Sequence, residues 1–182
     1  MQAHNKILRH SLFIFALLTC TAYVPLHGRT RVLFSPDDKP QEHLINFIKK
    51  AKNRIYVAIY MFTDKEIAEA LIEAKNRGID VQVISDQTSV NGKYGKMGLI
   101  SKSGVSAFVF KPTKKNAPFR WSGPLMHNKF AIIDDEVWTG SFNWTVAANK
   151  RNQENIVCID EKDVCSKYLA RFEKLKTRSV AV

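Results

Sequence analysis

His127 and Lys129 are the residues of this chain best placed by type and spacing to do chemistry. They stand two apart at the head of the apolar run 130–133. On an extended strand alternate side chains leave the same face, so an imidazole and an ammonium point at one spot. A neutral imidazole nitrogen is a nucleophile, and a cation beside it neutralises an anionic target. The run is followed by the acidic turn Asp134-Asp135-Glu136 and a second short strand through Trp138. That hairpin returns Gly140-Ser141-Phe142-Asn143 to the first pair, at the expected start of a helix reaching about Asn149, where free backbone N–H groups favour an anion. A nucleophile, a cation, a hydroxyl, an amide and a helix N-terminus then converge on a target the size of a phosphate.

Taken singly, each of these residues has a plainer reading. A histidine is often structural, and a lysine at a strand edge is often only solvated. Ser141 and Asn143 suit helix capping. Asp134 sits at a turn, where aspartate is common, with Asp135 competing for the same role. Glu154 opens an apolar strand and could simply face solvent, or it could accept the second N–H of the imidazole and fix its tautomer.

The pattern as a whole resembles the signature of the phospholipase D superfamily. His127, Lys129 and Asp134 match His-x-Lys-x4-Asp, Gly140, Ser141 and Asn143 match its second half, and Glu154-Asn155 is similar to the family's downstream glutamate. The resemblance runs from about Arg31 to the end of the chain. It is greatest to small members with one motif per chain, the bacterial periplasmic or secreted endonucleases and the mitochondrial cardiolipin hydrolase/Zucchini group. One departure is visible: five residues separate Asp134 from Gly140, where six are usual.

The resemblance implies phosphodiester hydrolysis through a covalent phosphohistidine, with His127, Lys129, Asp134, Asn143 and Glu154 as the catalytic set and Ser141 on the substrate. A two-step displacement also needs an acid to protonate the departing oxygen, and the other histidines of the chain do not offer one. His4 and His10 lie in the N-terminal segment, His27 just after it, and His43 on an early helix without a partner motif. Single-motif relatives pair two chains, so the resemblance implies a homodimer with one composite site. No metal cluster is visible, no cofactor is expected, and activity should survive chelation.

Composition bounds the partners. The 182 residues, 45% hydrophobic, suit one globular domain, here 30–182. With 28 basic against 17 acidic residues the formal charge is +11, which favours nucleic acid or an anionic phospholipid surface. The plainer alternative is that the charge serves solubility. Residues 1–24 read as an export signal: Lys6 and Arg9, then the apolar core 12–18, then Cys20-Thr21-Ala22. The alternative is a retained membrane anchor, although the run is short of the roughly 20 residues a span needs. The expected location is therefore periplasmic or secreted, or membrane-anchored if the segment is kept. Three cysteines are too few for a disulfide framework or a zinc site. Cys158 reads as a small buried hydrophobe, with a Cys158–Cys165 disulfide permitted by an exported location.

The elements that must position the site follow from periodicity. Strands are expected over 31–34, 55–62, 81–84, 105–110 and 154–159. Helices are expected after an Asp38 cap with Pro40 in the first turn, after a Thr63-Asp64-Lys65-Glu66 capping box with a stop at Gly78, over 97–102, and over 162–176. The alternation predicts an α/β fold with a mixed, largely parallel sheet flanked by helices on both faces. The irregular segment 111–124 carries Lys111, Lys114, Lys115 and Arg120 among Phe119 and Trp121, directly before the motif. Such a rim suits a phosphate backbone with stacked bases, a lipid headgroup layer, or nothing beyond solvent. Phospholipid and nucleic acid both remain open as substrates. A non-catalytic polyanion-binding module that has kept the phosphate pocket is the rival of a different class.

Overall fold

A computed structural model of the chain describes residues 28–111 and 124–182. The 1–24 segment, and the rim residues Lys114, Lys115, Arg120 and Trp121, lie outside the described residues. In chain order the elements are β1 (Thr30–Ser35), α1 (Pro40–Lys50), β2 (Arg54–Ile59), α2 (Lys65–Asn76), β3 (Asp80–Asp86), α3 (Gln87–Asn91), α4 (Met97–Lys102), β4 (Ser106–Phe110), β5 (Lys129–Ile133), β6 (Glu136–Gly140), α5 (Val146–Lys150), β7 (Glu154–Ile159), α6 (Lys162–Lys176) and β8 (Ser179–Ala181). The strands form one sheet of order β1-β7-β6-β5-β2-β3-β4-β8.

The sheet is mixed and carries helices on both faces, as expected, but among the described strands parallel pairing is confined to β2–β3 and β3–β4. "Largely parallel" is thus corrected. β2, β3 and β4 are sheet neighbours joined through α2 and through α3 and α4, whereas β5–β6 is a hairpin and β1, β7 and β8 pair antiparallel with their neighbours in the sheet.

Side-chain alternation along the central strands feeds two cores. Ile55, Val57 and Ile59 face Leu44 and Ile48 of α1 and Ile67 and Leu71 of α2, all fully buried. Ala58 of β2, Ile84 of β3 and Phe130 and Ile132 of β5 face α6 through Phe172 and Leu175. Phe172 stacks on Tyr56 at 4.9 Å between ring centroids, and truncating such a ring to alanine costs about 3–5 kcal/mol. Cys158 belongs to the first core and Cys165 to the second. The sheet lies between them, both are free thiols, and the disulfide alternative is not realised.

Two helix starts differ from expectation. Asp38 does not cap α1: its Oδ2 accepts from Phe34 N at 2.8 Å, and Lys39 occupies the cap position in a left-handed conformation. For α2 the cap is Asp64, whose carboxylate accepts from Ile67 N at 3.1 Å, one residue later than a Thr63 capping box would place it. No helix among the described residues is long and apolar enough to cross a membrane.

Candidate active site

The strand registers gather one edge of the sheet. Ile59 at the end of β2 pairs with Lys129 at the start of β5, Gly140 at the end of β6 pairs with Ile156, and Glu154 opens β7 opposite Ser35. Strands running in opposite directions therefore deliver their ends to one place, and every expected site residue except Asp134 lies there or outside the described residues.

His127 sits just before β5 and is exposed, and Lys129 is half-buried. Lys129 Nζ lies 3.3 Å from His127 Nδ1 and 3.5 Å from Nε2, and it donates to the His127 carbonyl at 3.0 Å. Imidazole and ammonium are thus held as one unit. Burial takes the ammonium out of water and lowers the Lys129 pKa, while the charge of Glu154 opposes that shift. Tyr60, the first residue after β2, packs on the imidazole with 4.4 Å between centroids at 56°, and Lys129 Nζ stands 5.4 Å from the same ring. The phenol ring backs both groups at once. Sequence reasoning read Tyr60 only as part of an apolar run. Its position at the carboxyl end of a central strand, where open α/β sheets bind ligands, was the available signal.

Ser141 and Glu154 meet across the β6 and β7 ends. Ser141 Oγ donates to Glu154 Oε2 at 2.6 Å and accepts from Asn155 N at 3.0 Å, and Asn152 Nδ2 donates to Glu154 Oε1 at 3.0 Å. The carboxylate expected on the imidazole is here bonded to the serine hydroxyl and Asn152. The approach depends on Gly140, with φ +155: a Cβ there would lie 2.0 Å from the Asn155 carbonyl oxygen. Asn143 is tied to the end of β2, its Oδ1 accepting from Met61 N at 3.2 Å, while Trp144 N donates to Met61 O at 3.0 Å. Its amide group is thus held at the residue that follows Tyr60, more than 80 positions earlier in the chain.

Two expectations are corrected. No helix begins at Ser141 or Phe142. α5 starts at Val146 behind a Thr145 cap, whose hydroxyl accepts from Ala148 N at 3.1 Å. The helix N-terminus is therefore not among the groups at the site, because residues 141–144 are drawn instead onto the end of β2. Asp134 is at the opposite end of β5, at φ +52. Its carboxylate accepts from the backbone N–H of Lys52, Asn53 and Arg54 at 3.0, 2.8 and 3.2 Å, and its own N–H donates to Arg54 O. Burial pushes its pKa up, but the three N–H bonds and the Arg54 charge together hold it below the usual carboxylate range. Asp134 anchors a turn and does not reach His127. Asp135 is no substitute, since it pairs with Arg54 at 2.9 Å at the same far end.

Comparison with known proteins agrees with this geometry. Residues 44–176 match the family described as cardiolipin synthase, PLD-like domain. A phospholipase D of Rickettsia prowazekii is 33% identical over 150 residues, which cover 82% of this chain and 68% of the relative. A mitochondrial cardiolipin hydrolase of Xenopus tropicalis is 28% identical over 173 residues, covering 94% and 78%. Among solved structures, the phospholipase D family member Nuc from Salmonella typhimurium superposes with a TM-score of 0.75 at 29% identity, covering 86% of this chain and 99% of that one. These likenesses span both cores and the edge that carries the histidine–lysine pair, and the chain belongs to the phospholipase D-like family of phosphodiester hydrolases.

Proposed function

We propose that hydrolysis runs through a covalent phosphohistidine on His127. The observation that carries this reading is the placement of Lys129 Nζ within 3.5 Å of both ring nitrogens. An unprotonated ring nitrogen attacks phosphorus, and the bond from phosphorus to the leaving oxygen breaks. That oxygen takes a proton from His127 of the partner subunit. In the second step water attacks phosphorus, its proton passes to His127 of the partner subunit, and the P–N bond breaks. One water is consumed per diester, giving a phosphomonoester and an alcohol. Lys129 neutralises a non-bridging oxygen, Asn143 binds the phosphate through its NH2, and Ser141, whose hydroxyl proton is held by Glu154, braces the β6 and β7 ends beside it. The exposed position of His127 on one protomer supports a homodimer in which two copies share a composite site.

No metal or other cofactor takes part in this reading, because lysines from both subunits supply the charge. Activity in excess EDTA should match the untreated enzyme, and a loss restored by a divalent cation would refute it. The N-terminal segment is read as an export signal or membrane anchor, which N-terminal sequencing of the expressed protein decides.

For the substrate, a phospholipid headgroup ester is supported by the names of the relatives and by exposed Met61 and Leu125 beside Tyr60 and His127. Nucleic acid is the second reading, supported by the +11 charge and by Tyr94, exposed at the surface with Lys93 Nζ 5.7 Å from its ring centroid. Purified protein and its His127→Ala variant, each incubated with phosphatidylcholine and cardiolipin vesicles, single-stranded DNA and RNA, decide between them. Acid-labile, base-stable labelling of the wild type by a radiolabelled substrate tests the intermediate. Binding without turnover on all four substrates would leave only the polyanion-binding module.

A further inference from the structure

Buried polar side chains collect at the carboxyl end of β3, and the catalytic scheme uses none of them. Ser85, fully buried, donates to the Ile59 carbonyl at 2.8 Å and so fixes the end of β2 from which Tyr60 projects. Asp86, 4% exposed, accepts from Thr88 N and Thr88 Oγ1 through Oδ1, each at 3.0 Å, and from Met126 N through Oδ2 at 2.9 Å. Met126 is the residue before His127 and is itself 1% exposed. Residues 124–128 belong to no strand, and β5 begins at Lys129. His127 is therefore strung between two fixed points, the first strand residue on one side and the Asp86-bound amide on the other.

We propose that Asp86 is a positioning residue of the active site: its buried carboxylate pins the Met126 amide and thereby sets where the His127 imidazole stands relative to Tyr60 and Lys129. The proposal rests on the reading of His127 as nucleophile. Three donors converge on two carboxylate oxygens, and only an acceptor on both sides serves them. An asparagine must turn its NH2 toward either Met126 N–H or Thr88, which leaves donor facing donor. The buried polar group is thus specified by charge and geometry and not by size. Misplacing a reacting group by about 1 Å costs about 10²-fold in rate.

The test compares Asp86→Asn with Thr88→Val, which removes a cap partner and leaves the Met126 contact intact. Full-length proteins are assayed on bis(p-nitrophenyl) phosphate, and binding is measured for orthovanadate, a mimic of the five-coordinate phosphorus, and for inorganic phosphate. Asp86→Asn is expected to lower kcat about 10²-fold with KM essentially unchanged, and to weaken vanadate far more than phosphate. Thr88→Val should leave kcat unchanged. An unaltered kcat in Asp86→Asn, or equal losses in both variants that track the folded fraction, overturns the proposal. If His127→Ala keeps turnover and vanadate affinity, the nucleophile reading has failed. If His127→Ala loses both and Asp86→Asn loses neither, only the Asp86 proposal has failed. Should Asp86→Asn not fold, replacing the amide at Met126 by a backbone ester removes the same hydrogen bond from the other side, with the same expected loss of kcat.

Discussion

The two ends of the β5–β6 hairpin share a sheet and a sequence motif but differ in kind. At one end the side chains of His127, Lys129 and Tyr60 contact one another, and His127 stays exposed to whatever arrives. At the other, Asp134, Asp135 and Glu136 are spent on the protein itself, on three backbone amides, Arg54 and Arg31 respectively. The first end keeps its polar groups aimed outward at modest cost in satisfied bonds. The second fastens the hairpin to the α1–β2 connection. A single motif, His-x-Lys-x4-Asp, thus spans a reactive end and a structural end, and substitutions at the two should fail in different currencies.

The sharpest break of that contrast is His127→Ala. Turnover should vanish while the thermal melt stays within about a degree of wild type, since an exposed side chain contributes little to stability. Next in size, Lys129→Gln should lower kcat/KM about 10²–10³-fold, the scale of removing one charge-stabilising donor. Because burial lowers the Lys129 pKa, the cation is lost at a lower pH than for a free lysine. The fall in kcat/KM on the alkaline side should therefore begin early, and Lys129→Arg, which stays charged, should remove that limb if it keeps activity. A pH profile that is the same in both proteins would detach Lys129 from it. Ser141→Ala breaks a 2.6 Å bond to Glu154 and should cost roughly tenfold in kcat/KM, the value of one hydrogen bond to a charged group.

Smallest in its effect on rate is Asp134→Ala. The folded enzyme should turn over within about twofold of wild type, while urea melts show a loss of about 1–3 kcal/mol from orphaned amide donors. The sign with pH follows from the depressed pKa of Asp134. Its contribution is complete above the ordinary carboxylate value, near 4, and disappears as pH falls through the lower folded value. The stability gap between wild type and variant should then close in acid. A variant that melts normally but has lost activity would move Asp134 back to the reactive end.

Much of this was legible in the chain. Period-2 and period-3.6 patterns located β7 and α6 at their observed bounds, because turn residues and charged caps delimit both. The pairing of His127 with Lys129 followed from strand alternation. Alternation reports a face, however, and not an end: five residues of strand span about 16 Å, so Asp134 could not have joined Lys129 at one phosphate. The start of α5 is not fixed by local sequence, because Ser141 and Thr145 are both good caps. The choice between them is made by Met61, whose backbone binds Asn143 and Trp144, a contact no local pattern contains. Tyr60 and Asp86 escaped for the same reason, as each acts across strands whose neighbours only the folded sheet defines.

Gly140 carries one last consequence. Since the carbonyl of residue 155 already fills the volume a first side-chain carbon would need, this position admits no graded series of variants. Even alanine must pry β6 from β7, and with them the serine from its glutamate. Saturation mutagenesis should accordingly return a cliff there, with every substitution inactive, beside the gentler slopes of its neighbours.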